Sequence, residues 1–314
     1  MMKYGNQGRG PISKKILSGI GQTSKKKVID LSLFKEARLK AENLEKTIIT
    51  KKDLACLDPL HAIYVYAQNK MSVFAEQLGE FSELSKLTNA HADVYDEYLP
   101  SGPPMSPLTA SYFTCWGFFD LSAGIKRETF GTVTIDVCRS LGVHKDLITV
   151  FEHMQNSRMG VYLHEEVSGK CVLLREIMTD RKIRAISASG YLGSPSQIWY
   201  ARIMPEPFPE TKYGYDVVFT TPYVIGEMVG ERFLYATEKN WVAFFERNIL
   251  KTNIKAPIQA YEFLMKYGLN KNYWNEYVFE AYVSHRHDMI MLAGFPDIAL
   301  SRPQSSESQA MRGE

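Results

Sequence analysis

The segment Ser284-His285-Arg286-His287-Asp288 holds two of the seven histidines, two positions apart, with a carboxylate directly after. On a loop after a strand, that spacing points both imidazoles into one cavity. An aspartate and a third histidine then complete a two-metal hydrolytic site of the HxHxDH kind. Here Met289 and Ile290 stand where the last histidine would fall, and the preceding NYWNEYVFEAYV reads as helix. His61, His91, His144, His153 and His164 are scattered singly, although a metal needs three or four ligands and outer partners that orient them. The pattern therefore reads first as a polar corner, with His285 and His287 at a helix C-terminus, where donors meet exposed carbonyls. The alternative is a metal-dependent hydrolase or nuclease using His285, His287 and Asp288. No cofactor is expected.

Other chemistries find less support. There is no GxSxG elbow, and Cys115 sits in an aromatic helical stripe, where a buried, inert thiol belongs. Neither GxxxxGK[ST] nor GxGxxG occurs; the glycine cluster GNQGRG (5–10) follows no strand. His164-Glu165-Glu166 resembles a fragment of an acid–base site. Adjacent residues of a strand face opposite ways, so the two glutamates read as a solvated strand end.

Two regions could make contacts instead. Residues 1–28 are rich in glycine and lysine. Lys3, Arg9, Lys14, Lys15, Lys25, Lys26 and Lys27 meet no acid before Asp30, and the segment reads as a flexible basic arm. Further on, Trp199 with Arg184 and Arg202 could stack and hold a single strand of nucleic acid. Residues 159–228, however, carry seven cations against eight acids, so no positive field surrounds them. Nucleic-acid binding through the arm and these aromatics is a second alternative. Steep loss of affinity with salt would be its mark.

These positions rest on a chain of 314 residues in which 45% hydrophobic and 23% charged residues support a globular core, and a net charge of +2 argues against a wholly basic surface. Four cysteines with no CxxC pair read as reduced thiols. No run of about 18 apolar residues suits a bilayer. A cytoplasmic protein with no membrane partner is expected.

Periodicity divides the chain into blocks. Residues 29–158 read as a helical domain. Asp58-Pro59 is a cap followed by the favoured first helical residue. Leu60, Tyr64, Ala67, Met71, Phe74, Leu78 and Phe81 then share a face. The stripe resumes out of phase at Leu84, Leu87, His91, Val94 and Tyr98, which predicts a bend or two helices. Leu108, Tyr112, Cys115, Trp116 and Phe119 mark another helix, and Leu147, Val150, Phe151 and Met154 a further one. After Gly160, five short apolar runs separated by turn residues (GVYLHEEV, KCVLLREIM, RKIRAISAS, QIWYARIMP and YDVVFTTPYVIG) predict a small β-barrel over 159–228, SH3-like or OB-like. Over 229–300, C-terminal helices follow. One is capped by Thr237, one lies between Pro257 and Gly268, and one covers about 272–284. MIMLAGFPDI reads as a short strand or extended segment, and 301–314 as a disordered tail. The fold class is α+β: a helical base with an inserted five-stranded barrel and C-terminal helices.

Three stretches, FFDLSAGIKRETFGTVTIDV (118–137), FEHMQNSRMGVYLHEEVSGKCVLLREIMTDRKIRAISAS (151–189) and QIWYARIMPEP (197–207), carry a resemblance. Asp120, then Ser157-Arg158, then Leu173-Leu174-Arg175-Glu176 with Thr179, then Ala201-Arg202-Ile203 with Pro205, are similar to a region of uncharacterised bacterial proteins, some of which carry a SEC-C zinc motif. The match covers about a third of the chain. It implies a small barrel on a helical base and no known catalysis; the zinc cysteines of that family are missing here. The expected function is a non-catalytic module that binds a protein partner, with the basic arm as an auxiliary contact.

Overall fold

A computed structural model describes residues 9–25, 50–98, 109–229, 232–235, 237–268, 283–286 and 289–292. The chain divides into two compact units, one formed by residues 1–97, 110–158 and 203–219, the other by 98–109, 159–202 and 220–314.

The first unit contains α1 (Pro11–Lys25), α2 (Lys51–Leu54), α3 (Pro59–Gly79), α4 (Ser85–Tyr98), α5 (Ala110–Phe119), α6 (Phe130–Ser140) and α7 (Lys145–Asn156). The Asp58 carboxylate accepts from the Leu60 amide at 3.0 Å and starts α3, whose Leu60, Tyr64, Ala67, Met71, Ala75 and Leu78 are buried. A 3-10 turn at Ser82–Leu84 then shifts the phase, so the interrupted stripe is two helices. The sequence did not announce α6: its TVTIDV core is β-branched and alternating. Thr129 and Thr132 cap it reciprocally, at 3.0 and 2.9 Å, and every residue from Phe130 to Cys138 is buried. Burial on all sides outweighs the modest cost of β-branched residues in a helix.

The basic arm is not a flexible tail over its described part. Pro11–Lys25 is helical, and Ile16 is 1% exposed in a core with Leu78, Leu84, Leu87, Phe130, Val133 and Val137. Ile12, Ile16, Leu17 and Ile20 fall on one helical face, and burying that face stabilises what a lysine- and glycine-rich segment does not form alone.

In the barrel, β1 (Met159–Ser168), β2 (Cys171–Glu176), β3 (Lys182–Ser187), β4 (Ile198–Met204) and β5 (Asp216–Val218) follow the order β1-β2-β3-β5-β4, and β4 pairs back onto β1 to close five strands. Closure leaves no open edge among them. The fifth apolar run is two strands, because Thr220-Thr221-Pro222 interrupts it. Its second half, β6 (Tyr223–Val229), pairs antiparallel with β4 and with β7 (Arg232–Tyr235). Helices α8 (Glu238–Ile249) and α9 (Pro257–Tyr267) follow, the first capped by Thr237 and the second ended by Gly268. The segment after 229 also holds a hairpin of β8 (Val283–Arg286) and β9 (Met289–Leu292), with β9 parallel to β6.

Candidate interaction surface

Glu128 organises one end of the first unit. Its main chain closes a short hairpin, in which Ala123 and Glu128 exchange hydrogen bonds of 2.8 and 2.9 Å and the Arg127 amide donates to the Gly124 carbonyl at 3.1 Å. Gly124 and Arg127 take left-handed conformations to make that turn. The buried Glu128 side chain then crosses to α1. It accepts from the Ile12 amide at 3.0 Å and the Ser13 amide at 2.9 Å, two donors that a helix N-terminus otherwise leaves without intrahelical partners. Gly10 is required by this approach, since a Cβ there would collide with the carboxylate. Thr129 begins α6 one residue later, so hairpin, α1 and α6 meet at a single position.

The hairpin tip and α1 carry the outward groups. Ile125 is fully exposed at 104%. Lys126 is exposed beside it, and Arg9, Lys14 and Lys15 are exposed on and before α1. Over residues 9–25 and 121–128 the single acid is Glu128, and its carboxylate is buried against backbone amides. The two segments thus carry exposed basic side chains, with one apolar side chain at the hairpin tip.

The barrel treats its candidates differently. Trp199 and Arg202 are both 0% exposed, so neither can stack or hold a nucleic acid at the surface; only Arg184 is exposed. The whole of β4 is buried, as happens to a strand covered on both faces. The Trp199 indole donates to the Gln197 side-chain oxygen at 3.1 Å. The same oxygen accepts from the Ser194 amide at 3.1 Å and the Tyr191 hydroxyl at 3.0 Å. His164 packs on Trp199 and holds the Leu192 carbonyl through Nε2 at 2.8 Å, while burial pulls its pKa below the usual imidazole value. These groups clamp the loop over 188–197; none is positioned as a base.

Glu165 is not the solvated acid expected of a strand end. It accepts from Arg175 at 3.1 Å, and the Arg175 guanidinium also reaches Asp180 at 3.3 Å and grips both oxygens of Glu238 at 3.0 and 2.9 Å. Bonding to Glu238 first of all raises the Arg175 pKa further above its already high value. Glu166 is exposed and does not join this network. Cys115, Cys138 and Cys171 are buried, and burial pushes the Cys138 thiol up to about 11, well away from a nucleophilic thiolate at neutral pH.

His285 lies in strand β8 opposite Ile290, so its position is not the helix C-terminus that the sequence suggested. His287 and Asp288 lie outside the described residues, as do Lys26 and Lys27 and the side chain of Lys25. Among the described residues, no three His, Cys, Asp or Glu side chains gather as a metal site, and no helix is long and apolar enough to cross a membrane. No family model, curated protein or solved structure matches the chain.

Sequence reasoning found Lys14 and Lys15 but missed Ile125 and Glu128. A signal was present: LSAGIKRET places a glycine-led turn between Leu121 and the threonine that caps α6. What it could not show is the partner of Glu128, 115 residues away along the chain.

Proposed function

We infer that the chain is a non-catalytic, cytoplasmic protein-interaction module whose N-terminal basic segment is a fixed contact element. One observation carries this reading. α1 is seated by its apolar face and held at its N-terminus by Glu128, so Lys14 and Lys15 are presented from a rigid helix and need not be ordered on binding. The thiols support an interior, reducing compartment, since all four cysteines are free. The resemblance to the bacterial proteins named above supports an α+β fold with a small barrel and adds no activity.

Purification of the tagged full-length chain from cells that make it tests this reading. A stoichiometric protein partner should be retained by wild type and by the barrel variant Arg184→Glu, and lost from Lys14→Glu/Lys15→Glu. A chain that carries stoichiometric zinc, manganese or iron, lost on His287→Ala, would overturn the reading in favour of the hydrolase alternative.

A further inference from the structure

We propose that the loop over 188–197 is an acid-released latch: a proton taken up by His164 opens it as a unit and bares the Trp199 indole. The inference is independent of the α1 contact, so either can fail alone.

The latch is fastened at few points. From Ala188 to Ser196 every residue is exposed or half-buried, so the closed loop hides little apolar surface of its own. What it covers is Trp199, which is 0% exposed. Gly193 lies against that ring, and a Cβ there would collide with the indole and with Gln197 Oε1. Two residues hold the loop down. Gln197 Oε1 accepts from the Ser194 amide and the Tyr191 hydroxyl. His164 meets the Leu192 carbonyl through Nε2 at 2.8 Å, donates its amide to the Gln197 carbonyl at 2.8 Å and accepts from the Ser196 amide at 2.9 Å. Ser196 makes that bond at a φ of 73°, a left-handed strain that opening relieves.

His164 is where a proton acts. A carbonyl only accepts, so Nε2 carries the hydrogen of the bond to Leu192, and Nδ1 is the bare nitrogen of a neutral ring. Nδ1 is buried and has no hydrogen-bond partner. A second proton lands there against the cost of burial. The acceptor that draws it is the residue's own main-chain carbonyl, which already holds Ser196. The imidazolium must therefore be hydrated or compete for a bond that fastens the loop, and either loosens the latch.

Nearby charges do not offset this. On β1, Glu165 bonds Arg175 and Glu166 is exposed. On β2, Glu176 accepts from Tyr261 and Thr179. On β3, Lys182 and Arg184 are exposed, and on β4 Arg202 pairs with Met159, at the far end of β1 from the loop. The loop's own titratable group, Tyr191, donates to Gln197.

Once the loop is open, His164 is hydrated and regains the ordinary imidazole value near 6.5, whereas burial holds the closed form below it. The open form thus binds the proton more tightly. The latch is shut at neutral pH. Below about pH 6.5 each unit shifts the balance about tenfold towards opening, until the closed form itself takes the proton. Opening presents an indole, a residue type that often anchors protein contacts.

Amide exchange followed by NMR on the full-length chain between pH 7.5 and pH 5, corrected for the intrinsic rate at each pH, tests the latch. The Ser194 and Ser196 amides and the Trp199 indole N–H should lose protection together, about tenfold per pH unit once below about pH 6.5, and only until the His164 ring takes its proton with the loop still closed. The β2–β3 ladder around Leu174 and Ile183 should keep its protection. Gly193→Ala should hold the loop open at both ends of the range. His164→Gln, which can still donate to Leu192 and takes no proton, should keep it shut. Should a variant fail to fold, the wild-type comparison of loop exchange with the His164 titration still decides. A loop that stays protected at pH 5 would overturn the proposal, whether or not His164 has titrated. So would loss of protection in loop and ladder together, which is global unfolding, or a His164→Gln loop that opens with the wild-type pH dependence.

Discussion

Arg175 and the pair Lys14 and Lys15 are basic side chains on the two units, and their surroundings differ in kind. Arg175 has drawn three carboxylates around itself, from Glu165, Asp180 and Glu238, and ties the first turn of α8 to the barrel strands. Lys14 and Lys15 lie on a segment with no acid of its own, and the Glu128 carboxylate that meets this segment is consumed by backbone amides. In the barrel unit a cation completes the fold; at the end of the helical unit the cations are left over once the fold is complete. The carboxylates decide this difference, because one side turns three of them onto its arginine and the other turns Glu128 onto backbone amides. Trp199 and Arg202 extend the contrast, since the barrel encloses residue types that elsewhere make contacts.

The strongest challenge to this contrast is Trp199→Ala. If the barrel uses Trp199 for its core, the variant loses about 4 kcal/mol of stability in urea unfolding. Unchanged stability would mean that the ring is a contact residue after all. Glu128→Ala comes next. It removes the acceptor of two helix amides in a buried setting and should cost about 2 kcal/mol, with faster amide exchange along α1 than in α6. Equal exchange in both helices would show that Glu128 does not hold α1 separately.

Acidification probes the barrel's clamp. Burial lowers the pKa of His164 in the folded state, so the unfolded chain binds its proton more readily. Stability from this residue is complete above about pH 6.5 and is lost as the pH falls through the lower, folded value. Exchange in the loop over 188–197 should therefore speed up between pH 7.5 and pH 5. His164→Gln, which can still donate to the Leu192 carbonyl, should remove that dependence. His61 and His91 shift in the same direction by burial, so global unfolding mixes all three and the loop itself must be followed.

Arg175→Met should cost only about 1 kcal/mol, because Asp180 is well exposed, Glu238 is partly exposed, and water screens the pairs. Its sign is fraying of the first turn of α8, readable by exchange at Asn240 and Trp241. Smallest of all, Lys14→Glu/Lys15→Glu should change stability by no more than about 0.5 kcal/mol. A larger loss would mean that these lysines serve the fold, and the contrast with Arg175 would disappear.

Local signals in the sequence carried far in some elements. Asp58-Pro59, Thr237, and Pro257 with Gly268 mark helix ends through caps and backbone preferences that act within a few residues, and the structure places the helix ends there. The apolar stripe from Leu60 to Leu78 was legible for the same reason, except that the buried face continues through Ala75 while Phe74 is only partly covered. The helix α6 was not legible. Its alternating Thr, Val and Ile would suit a strand, and only its enclosure on every side makes it a helix. The contact residues divided in the same way. Lys14 and Lys15 are visible as charge, whereas the burial of Arg202 and the exposure of Ile125 are invisible in composition.

By itself the sequence determined the alternation of helical and strand-forming stretches, the caps, the free thiols and the lack of the common catalytic signatures, because each depends on neighbouring residues or on residue type alone. Only the tertiary structure decided which cations are neutralised, which aromatic rings face inward, and that a glycine- and lysine-rich segment becomes an anchored helix. Those outcomes depend on carboxylates and apolar surfaces supplied from distant parts of the chain. Glu128 at the amides of Ile12 and Ser13 is the clearest instance, since a helix N-terminus and its acceptor meet only once the chain has folded.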